Sequence, residues 1–321
     1  MRVISHHAGL VSGPGLYTMP AATYHADPSP APSLSSGIAR TLLDETPRHA
    51  FQKHPRLGGT AEDARSRKLD LGSVAHAILS GEGRDVVVVD ADAYTTKAAR
   101  EARDEAIEAG HTPVLRNDLR KAERMVGAVQ ARLARTPGAE RAFLDGRAET
   151  ALIWRDRLGV WGRAMLDWWG PDPTEIWDLK TTSGGLSDRA IASRIADGLD
   201  IQEHWYRRGL ARLCPELAGR LRFRFVFVET AEPFECRIIE LTGDQRWLGE
   251  RKAVTAAVLF RRGLSTGEWP GYPAEIARVE SPDWVARQWE ARELSDPLLR
   301  DLGAELTLAH SPDQPDTEIA A

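Results

Sequence analysis

The chain is poor in cysteine, in lysine and in long apolar runs, and each shortage removes a class of protein. Two cysteines among 321 residues, Cys214 and Cys236, cannot build a disulfide framework. They also cannot supply four thiolates to an iron–sulfur cluster or to a Cys₄ zinc site. A reducing cytoplasm is the default compartment for such a chain. No uninterrupted apolar stretch approaches the roughly 20 residues that span a bilayer, so no membrane partner is expected. The opening "MRVISHHAGLVSGPGLY" lacks the apolar core of a signal peptide. "SGGLSD" has neither the spacing nor the Lys of a phosphate-binding P-loop. A net charge of −5 argues against simple coating of nucleic acid, and leaves room for an enzyme with a local basic groove.

What is present reads as alternating helix and strand. Residues 1–33, rich in Gly, Pro, Ala and His, read as an irregular segment. "SLSSGIARTLL" starts a helix, with Ser33, Ser35 and Ser36 as candidate caps. "KLDLGSVAHAILSG" is a second helix, and "RDVVVVD" a buried strand by its β-branched run. Residues 97–109 and 115–135 read as surface helices. "ETALIWRDRLGVWGRAMLDWW" alternates apolar and polar residues across a turn at Leu158–Gly159, which predicts a β-hairpin. "EIWDLKTT" is the next strand. Helix follows through "DRAIASRIADGLDIQEHWYRRGLARLC", then the strand pair "RFRFVFVET" and "FECRIIEL", then a long helix from "DQRWLGER". The order predicts an α/β fold, a mixed central sheet flanked by helices with helical additions at the N-terminal side. The expected organisation is one domain over 34–292 with a helical insertion near 97–137. An extension at 293–321 follows, and its acidic end is expected to be disordered.

The chemistry concentrates in "IWDLKTT". Asp178 and Lys180 lie two apart on a strand and so share a face. A salt bridge at a strand end is the plain reading of such a pair. Only six of the 42 Lys+Arg are Lys, however: Lys53, Lys68, Lys97, Lys121, Lys180 and Lys252. A spare ion pair in this chain would more readily be Arg, whereas Lys suits a compact ammonium beside a water or a phosphate oxygen. Asp167 ends the preceding hairpin among apolar residues. His76 lies inside the apolar helix, and Gln202 and Tyr206 share a helical face. Each has an ordinary alternative: a turn cap, a core histidine, a helix–sheet contact. Together, two carboxylates, an imidazole and a backbone carbonyl suit a hard divalent cation.

The ordered set His76, Asp167, Asp178-Leu179-Lys180, Gln202 and Tyr206 resembles the RecB-type branch of the PD-(D/E)xK nuclease superfamily. Within that branch it is most similar to the exonuclease VIII (RecE-type) phage and prophage recombination exonucleases. "YHADPSPAPSLSSGIARTLLDETPRHAF", "LGSVAHAILSGEG", "VFVETAEPFECRIIEL" and "GEWPGYPAEIARVESPDW" carry the narrower likeness, which covers roughly residues 22–290. The resemblance implies a restriction-endonuclease-like core and hydrolysis of phosphodiester bonds. The implied substrate is linear duplex DNA ends, degraded 5′ to 3′. It implies Mg²⁺, with Mn²⁺ as a substitute, held by His76, Asp167, Asp178 and the Leu179 carbonyl. Lys180 would be the catalytic lysine, and Gln202 and Tyr206 would orient Lys180 or a DNA phosphate. Arg163, Arg207, Arg208, Ser35 and Ser36 are the expected DNA contacts. Arg163 matches the Arg of a G-R-P-D-like motif, although "GRAMLD" has a longer gap. Glu149 matches a frequent acidic position and is not expected to be a ligand. A homo-oligomer, a single-strand annealing protein as partner, and a phage or prophage origin in a bacterial cytoplasm are also implied. Two alternatives stay open: another RecB-like nuclease acting on single strands or flaps, and a non-catalytic DNA-end or recombination-partner binding module on the same fold.

Overall fold

The structure, a computed structural model, describes residues 2–59, 71–81, 86–109 and 111–297. It falls into two compact units, Met1–Tyr272 and Pro273–Ala321. In chain order, β1 (Val3–Ser5), β2 (Gly15–Thr18), α1 (Ala21–His25), β3 (Ser33–Leu34), α2 (Ser36–Asp44), α3 (Pro47–Lys53) and α4 (Leu71–Ser80) come first. β4 (Val86–Val89), α5 (Lys97–Glu108), β5 (Thr112–Leu115) and α6 (Arg116–Leu133) follow. The centre is β6 (Arg147–Arg155), β7 (Trp161–Trp169) and β8 (Glu175–Thr182). The first unit closes with α7 (Asp188–Arg194), α8 (Asp200–Leu213), β9 (Arg222–Glu229), β10 (Cys236–Ile239) and α9 (Gly243–Thr266). In the second unit the described residues form one helix, α10 (Asp283–Ser295), which buries no residue. The expected acidic tail lies outside the described residues.

The main sheet is mixed, in the order β1-β2-β6-β7-β8-β9-β10 with β3 beside β7. Residues 1–33 are therefore not irregular as expected. β2 pairs with β6 from Gly15↔Ile153 to Thr18↔Thr150, and this segment completes one side of the sheet. The division between units also falls at residue 272 rather than 292. Among the described residues the valine run pairs only with β5, and Val87 and Val88 are exposed. Its β-branched residues favour a strand, but the described residues do not cover both of its faces.

Strand alternation sorts the core onto two faces. Ile176, Phe223, Phe225 and Phe227 pack with Trp205, Leu210 and Phe260 of α8 and α9. Their neighbours Trp177, Leu179, Val226 and Val228 pack on the other face with Val74 and Leu79 of α4 and Met125 and Val129 of α6. α6 is amphipathic, so the residues 115–135 expected as a surface helix cover that second face.

Two glycines set how closely α8 approaches the sheet. A Cβ on Gly209 would lie 2.6 Å from the Trp154 ring, and one on Gly162 would lie 2.5 Å from the same ring. Trp154 is thus held between a strand and a helix that both lack side chains there. Gly209→Ala is expected to push α8 outward and to lower the urea-unfolding free energy by about 1–3 kcal/mol. Gly127→Ala, in α6 with nothing within 4 Å of the new methyl, should change it by up to ~1 kcal/mol in the opposite direction. Equal effects from the two would show that helix propensity, not the Trp154 contact, governs Gly209.

Candidate active site

β7 and β8 pair at only two positions, Trp168↔Trp177 and Trp169↔Ile176. Beyond these the strands part. β7 stays on β6 along its length, and β8 stays parallel to β9 from Glu175↔Arg222 to Thr182↔Glu229. A fork opens with Asp167 on one arm and Asp178 on the other. Backbone groups freed by the fork need other partners. The Leu179 N–H donates to Asp167 Oδ2 at 2.9 Å, and the Trp205 indole N–H of α8 donates to the Arg163 carbonyl at 3.3 Å.

The fork gathers charged side chains from four elements, β6, β7, β8 and α4, and an amide from α8. Asp178 is fully buried, and the Lys180 ammonium contacts its Oδ1. Gln202 Nε2 of α8 donates to Asp178 Oδ2 at 2.6 Å. From α4, His76 Nε2 lies 3.4 Å from Asp167 Oδ2 and Nδ1 lies 3.7 Å from Glu149 Oε1. Tyr206, one turn after Gln202, is buried and shares a hydrogen bond with Ser36 at the start of α2.

The electrostatics follow from crowding charges away from water. Burial, and then the Asp167 charge, push the Asp178 pKa up to about 7 against the pull of Lys180. Burial opposes the charge on Asp167, but His76, Lys180 and the Leu179 N–H outweigh it and hold its pKa low. Burial opposes the His76 imidazolium, yet Asp167 and then Glu149 raise its pKa to about 9. Burial likewise opposes the Lys180 ammonium, which Asp178 and Asp167 stabilise more. Burial and the nearby Tyr24, Asp178 and Asp167 keep the Tyr206 phenol protonated.

The structure thus brings together His76, Asp167, Asp178, Leu179, Lys180, Gln202 and Tyr206. It also brings in Glu149, which the sequence reading left outside the ligand set. Ala148↔Trp168 and Thr150↔Leu166 place Glu149 opposite Asp167 across the β6–β7 register. Its φ of 44° is left-handed, a conformation that costs a non-glycine residue about 1–3 kcal/mol and tends to mark functional sites. Counting residues back from the hairpin turn was the signal that could have found it.

The expected DNA contacts are distributed differently. Arg163 is buried. Its Nη1 donates to the Ser33 carbonyl at 2.7 Å and to Ser33 Oγ at 2.8 Å, with Asp27 Oδ1 at 3.4 Å. Its role here is to tie the N-terminal segment to β7, and it presents no surface to a phosphate. Ser35 caps α2 by accepting from the Ile38 N–H. Arg207 and Arg208 turn about 100° and 200° around α8 from Tyr206. They pair with Glu203 and Asp156, each at 3.1 Å, away from the fork.

No three His, Cys, Asp or Glu side chains among the described residues already stand as a coordination shell. The donor chemistry nevertheless fits a hard divalent cation. Carboxylates from Asp167, Asp178 and Glu149 converge around His76 and Lys180, Asp178 buried and the other two partly exposed. His76, Lys180, the Leu179 N–H and the Gln202 amide offset them.

A mixed sheet that forks to present one carboxylate from each arm, with a lysine two residues after the second, is the frame of a PD-(D/E)xK-type domain. The chain belongs to the family described as a PDDEXK-like domain of unknown function (DUF3799), whose model matches residues 41–280. Among solved structures, it is similar to a "Putative exonuclease" from Eubacterium rectale, with 12% identity and a TM-score of 0.49, covering 80% of this chain and 92% of that one. It is also similar to a "phage related exonuclease" from Haemophilus somnus 129PT, with 14% identity and a TM-score of 0.28, covering 59% and 95%. Neither likeness is close enough to bear on activity. Among curated proteins nothing matches. No helix of the described residues is long and apolar enough to cross a membrane.

Arg163→Ala should leave the buried Asp27 short of its nearest guanidinium and cost about 3–5 kcal/mol, as breaking a buried ion pair does. Its DNA affinity, measured at several salt concentrations below its melting range, should keep the wild-type salt slope. A flattened slope would restore Arg163 as a phosphate contact.

Proposed function

We propose that the chain is a divalent-metal-dependent DNA exonuclease that hydrolyses phosphodiester bonds. We take its substrate to be linear duplex ends, degraded 5′ to 3′ in phage-type recombination, with Mg²⁺ as cofactor and Mn²⁺ as a substitute. The observation that carries this reading is the pair of buried Asp178 and half-buried Lys180 at the fork, held by Gln202 and set beside Asp167 and His76. Polarity, duplex preference, a homo-oligomer and an annealing partner rest on the exonuclease VIII-type motifs of the sequence.

Asp167, Asp178 and His76 would hold the metal, with the Leu179 carbonyl and Glu149 close by. His76 would release its proton to do so, since only a neutral imidazole ligates. The bound cation supplies Lewis-acid polarisation of the phosphate and an acidified water. The remaining work belongs to the chain. The Leu179 N–H fixes the Asp167 carboxylate. The Gln202 amide fixes Asp178 and leaves its other oxygen to Lys180. Lys180, kept protonated by the two carboxylates, places an ammonium where negative charge grows on the phosphate oxygens. The Tyr206 hydroxyl, protonated and tied to Ser36, adds a donor on the α8 side of the fork.

Lys180→Ala should keep DNA binding and lose at least ~10²-fold in rate, as a group acting on the transition state does. Lys180→Arg should not rescue it, because a planar fork cannot take the place of a compact ammonium. Tyr206→Phe should cut the rate modestly at any salt. The deciding measurement uses duplexes labelled separately at each 5′ and 3′ end, digested with Mg²⁺, with Mn²⁺ and with EDTA. Label release from 5′ ends, stopped by EDTA, is expected. Tight end binding without cleavage under any metal would make this a binding module. A wild-type rate for Lys180→Arg would reduce Lys180 to a spare charge.

A further inference from the structure

The face of α8 turned away from the fork borders a cavity of about 450 Å³, lined among others by His204, Arg207, Arg208, Arg246, Trp247 and Glu250. Beneath it lies Glu203, fully buried. This one carboxylate serves two guanidinium groups: Arg207 Nη1 donates to it at 3.1 Å, and Arg246 Nε lies 3.2 Å from the same oxygen but off the hydrogen-bonding line. Arg208 is offset by Asp156.

The cavity concentrates unmet hydrogen bonds. Among the described residues nine buried side-chain nitrogen or oxygen atoms have no hydrogen-bond partner. Four of them lie in the wall of this cavity, each atom itself closed to solvent: Arg207 Nε, Arg246 Nε, His204 Nε2 and Glu203 Oε2, while the Arg207 and Arg246 side chains as a whole stay 25% and 32% exposed. Native proteins leave few such atoms without a partner. Three of the four are nitrogens, on two guanidinium groups and one imidazole. Charges of both signs meet here, Arg207, Arg208 and Arg246 against Glu203, Asp156 and Glu240. Burial, and then Arg208 and Arg207, push the His204 pKa down to about 4, so its ring is neutral at pH 7. The cavity also meets the start of α9, a 24-residue helix whose N-terminus carries partial positive charge. Beside these donors stands an exposed indole, Trp247, with the Arg251 guanidinium 4.4 Å from its ring centroid.

We propose that this cavity is a nucleoside-monophosphate site, separate from the fork, in which the phosphate takes the Arg207 and Arg246 donors and the base lies on Trp247. Guanidinium pairs suit phosphate oxygens. An aromatic face accepts any base without reading its identity. The volume lies in the range of small-ligand pockets. The same chemistry is offered by a free mononucleotide and by the terminal nucleotide of a DNA strand. The inference stands apart from the nuclease reading, because the site neither uses nor touches the forked carboxylates.

The test is calorimetric titration of the full chain in EDTA with a deoxynucleoside 5′-monophosphate, the matching unphosphorylated nucleoside, and short single strands with and without a 5′-phosphate. One mononucleotide per chain should bind. The nucleoside should bind at least roughly tenfold more weakly, as should the mononucleotide to Arg246→Ala and to the surface variant Trp247→Ala. Asp178→Asn should bind it like the wild type, which separates this cavity from the fork. Phosphate-dependent strand binding that is lost in Trp247→Ala assigns the site to a strand end. Binding of the mononucleotide alone assigns it to free nucleotide. No heat at millimolar mononucleotide, equal binding of the nucleoside, indifference to both Arg246→Ala and Trp247→Ala, or loss in Asp178→Asn would each overturn the proposal.

Discussion

Two carboxylates buried side by side cannot both stay ionised unless cations stand close to them, and the architecture around the fork answers to that constraint. Asp167 and Asp178 face each other only because β7 and β8 pair at two positions and then part. Continued pairing would fill the gap with backbone hydrogen bonds. Parting leaves room for charge and strips partners from the strand edges. The chain meets the second demand with the Leu179 N–H on Asp167 and the Trp205 indole on the Arg163 carbonyl. It meets the first with Lys180 and a protonated His76. A divalent cation would relieve the same crowding with more charge, which is why the donor set and the raised Asp178 pKa point the same way.

The rest of the first unit holds the fork open and aligned. α8 brings Gln202 and Tyr206 to it, and can do so because Gly209 lets the helix rest on Trp154. α4 brings His76 from the opposite face of the sheet, anchored by Val74 and Leu79 in the second core cluster. On the far side, Arg163 joins β7 to the loop through Ser33, and Asp27 in turn accepts from the Ser33 N–H at 2.8 Å and Ser33 Oγ at 2.6 Å. α2 begins two residues after β3 and presents Ser36 to Tyr206. The N-terminal segment therefore acts as a brace behind the site, although its composition suggests a loop.

α8 has two chemically different faces. Gln202 and Tyr206 turn inward to the carboxylates. Glu203 and Arg207, each one residue later, turn toward α9 and meet Arg246 there. Arginines that are dense in the chain are thus not one electropositive stripe. Several are spent on carboxylates, Arg208 on Asp156 and Arg224 on both Glu240 and Glu175. Of the four arginine Nε atoms left without a hydrogen-bond partner among the described residues, those of Arg207 and Arg246 lie at one cavity.

Local sequence determined much of this protein. Period-two alternation marked the β6–β7 hairpin and β8, helical spacing marked α4, α8 and α9, and i, i+2 geometry put Asp178 and Lys180 on one face before any fold was known. Those patterns depend on neighbours in the chain, so one sequence suffices to read them. Tertiary structure alone decided the rest. Whether Arg163 meets a phosphate or Ser33 depends on a segment 130 residues earlier, docked beside β7. Whether Glu149 joins His76 depends on strand register and on where α4 lands. Whether Arg207 faces DNA or Glu203 depends on which side of α8 the sheet takes. Each is settled by a contact between distant parts of the chain, and a charged side chain carries no local mark of the partner that burial will give it.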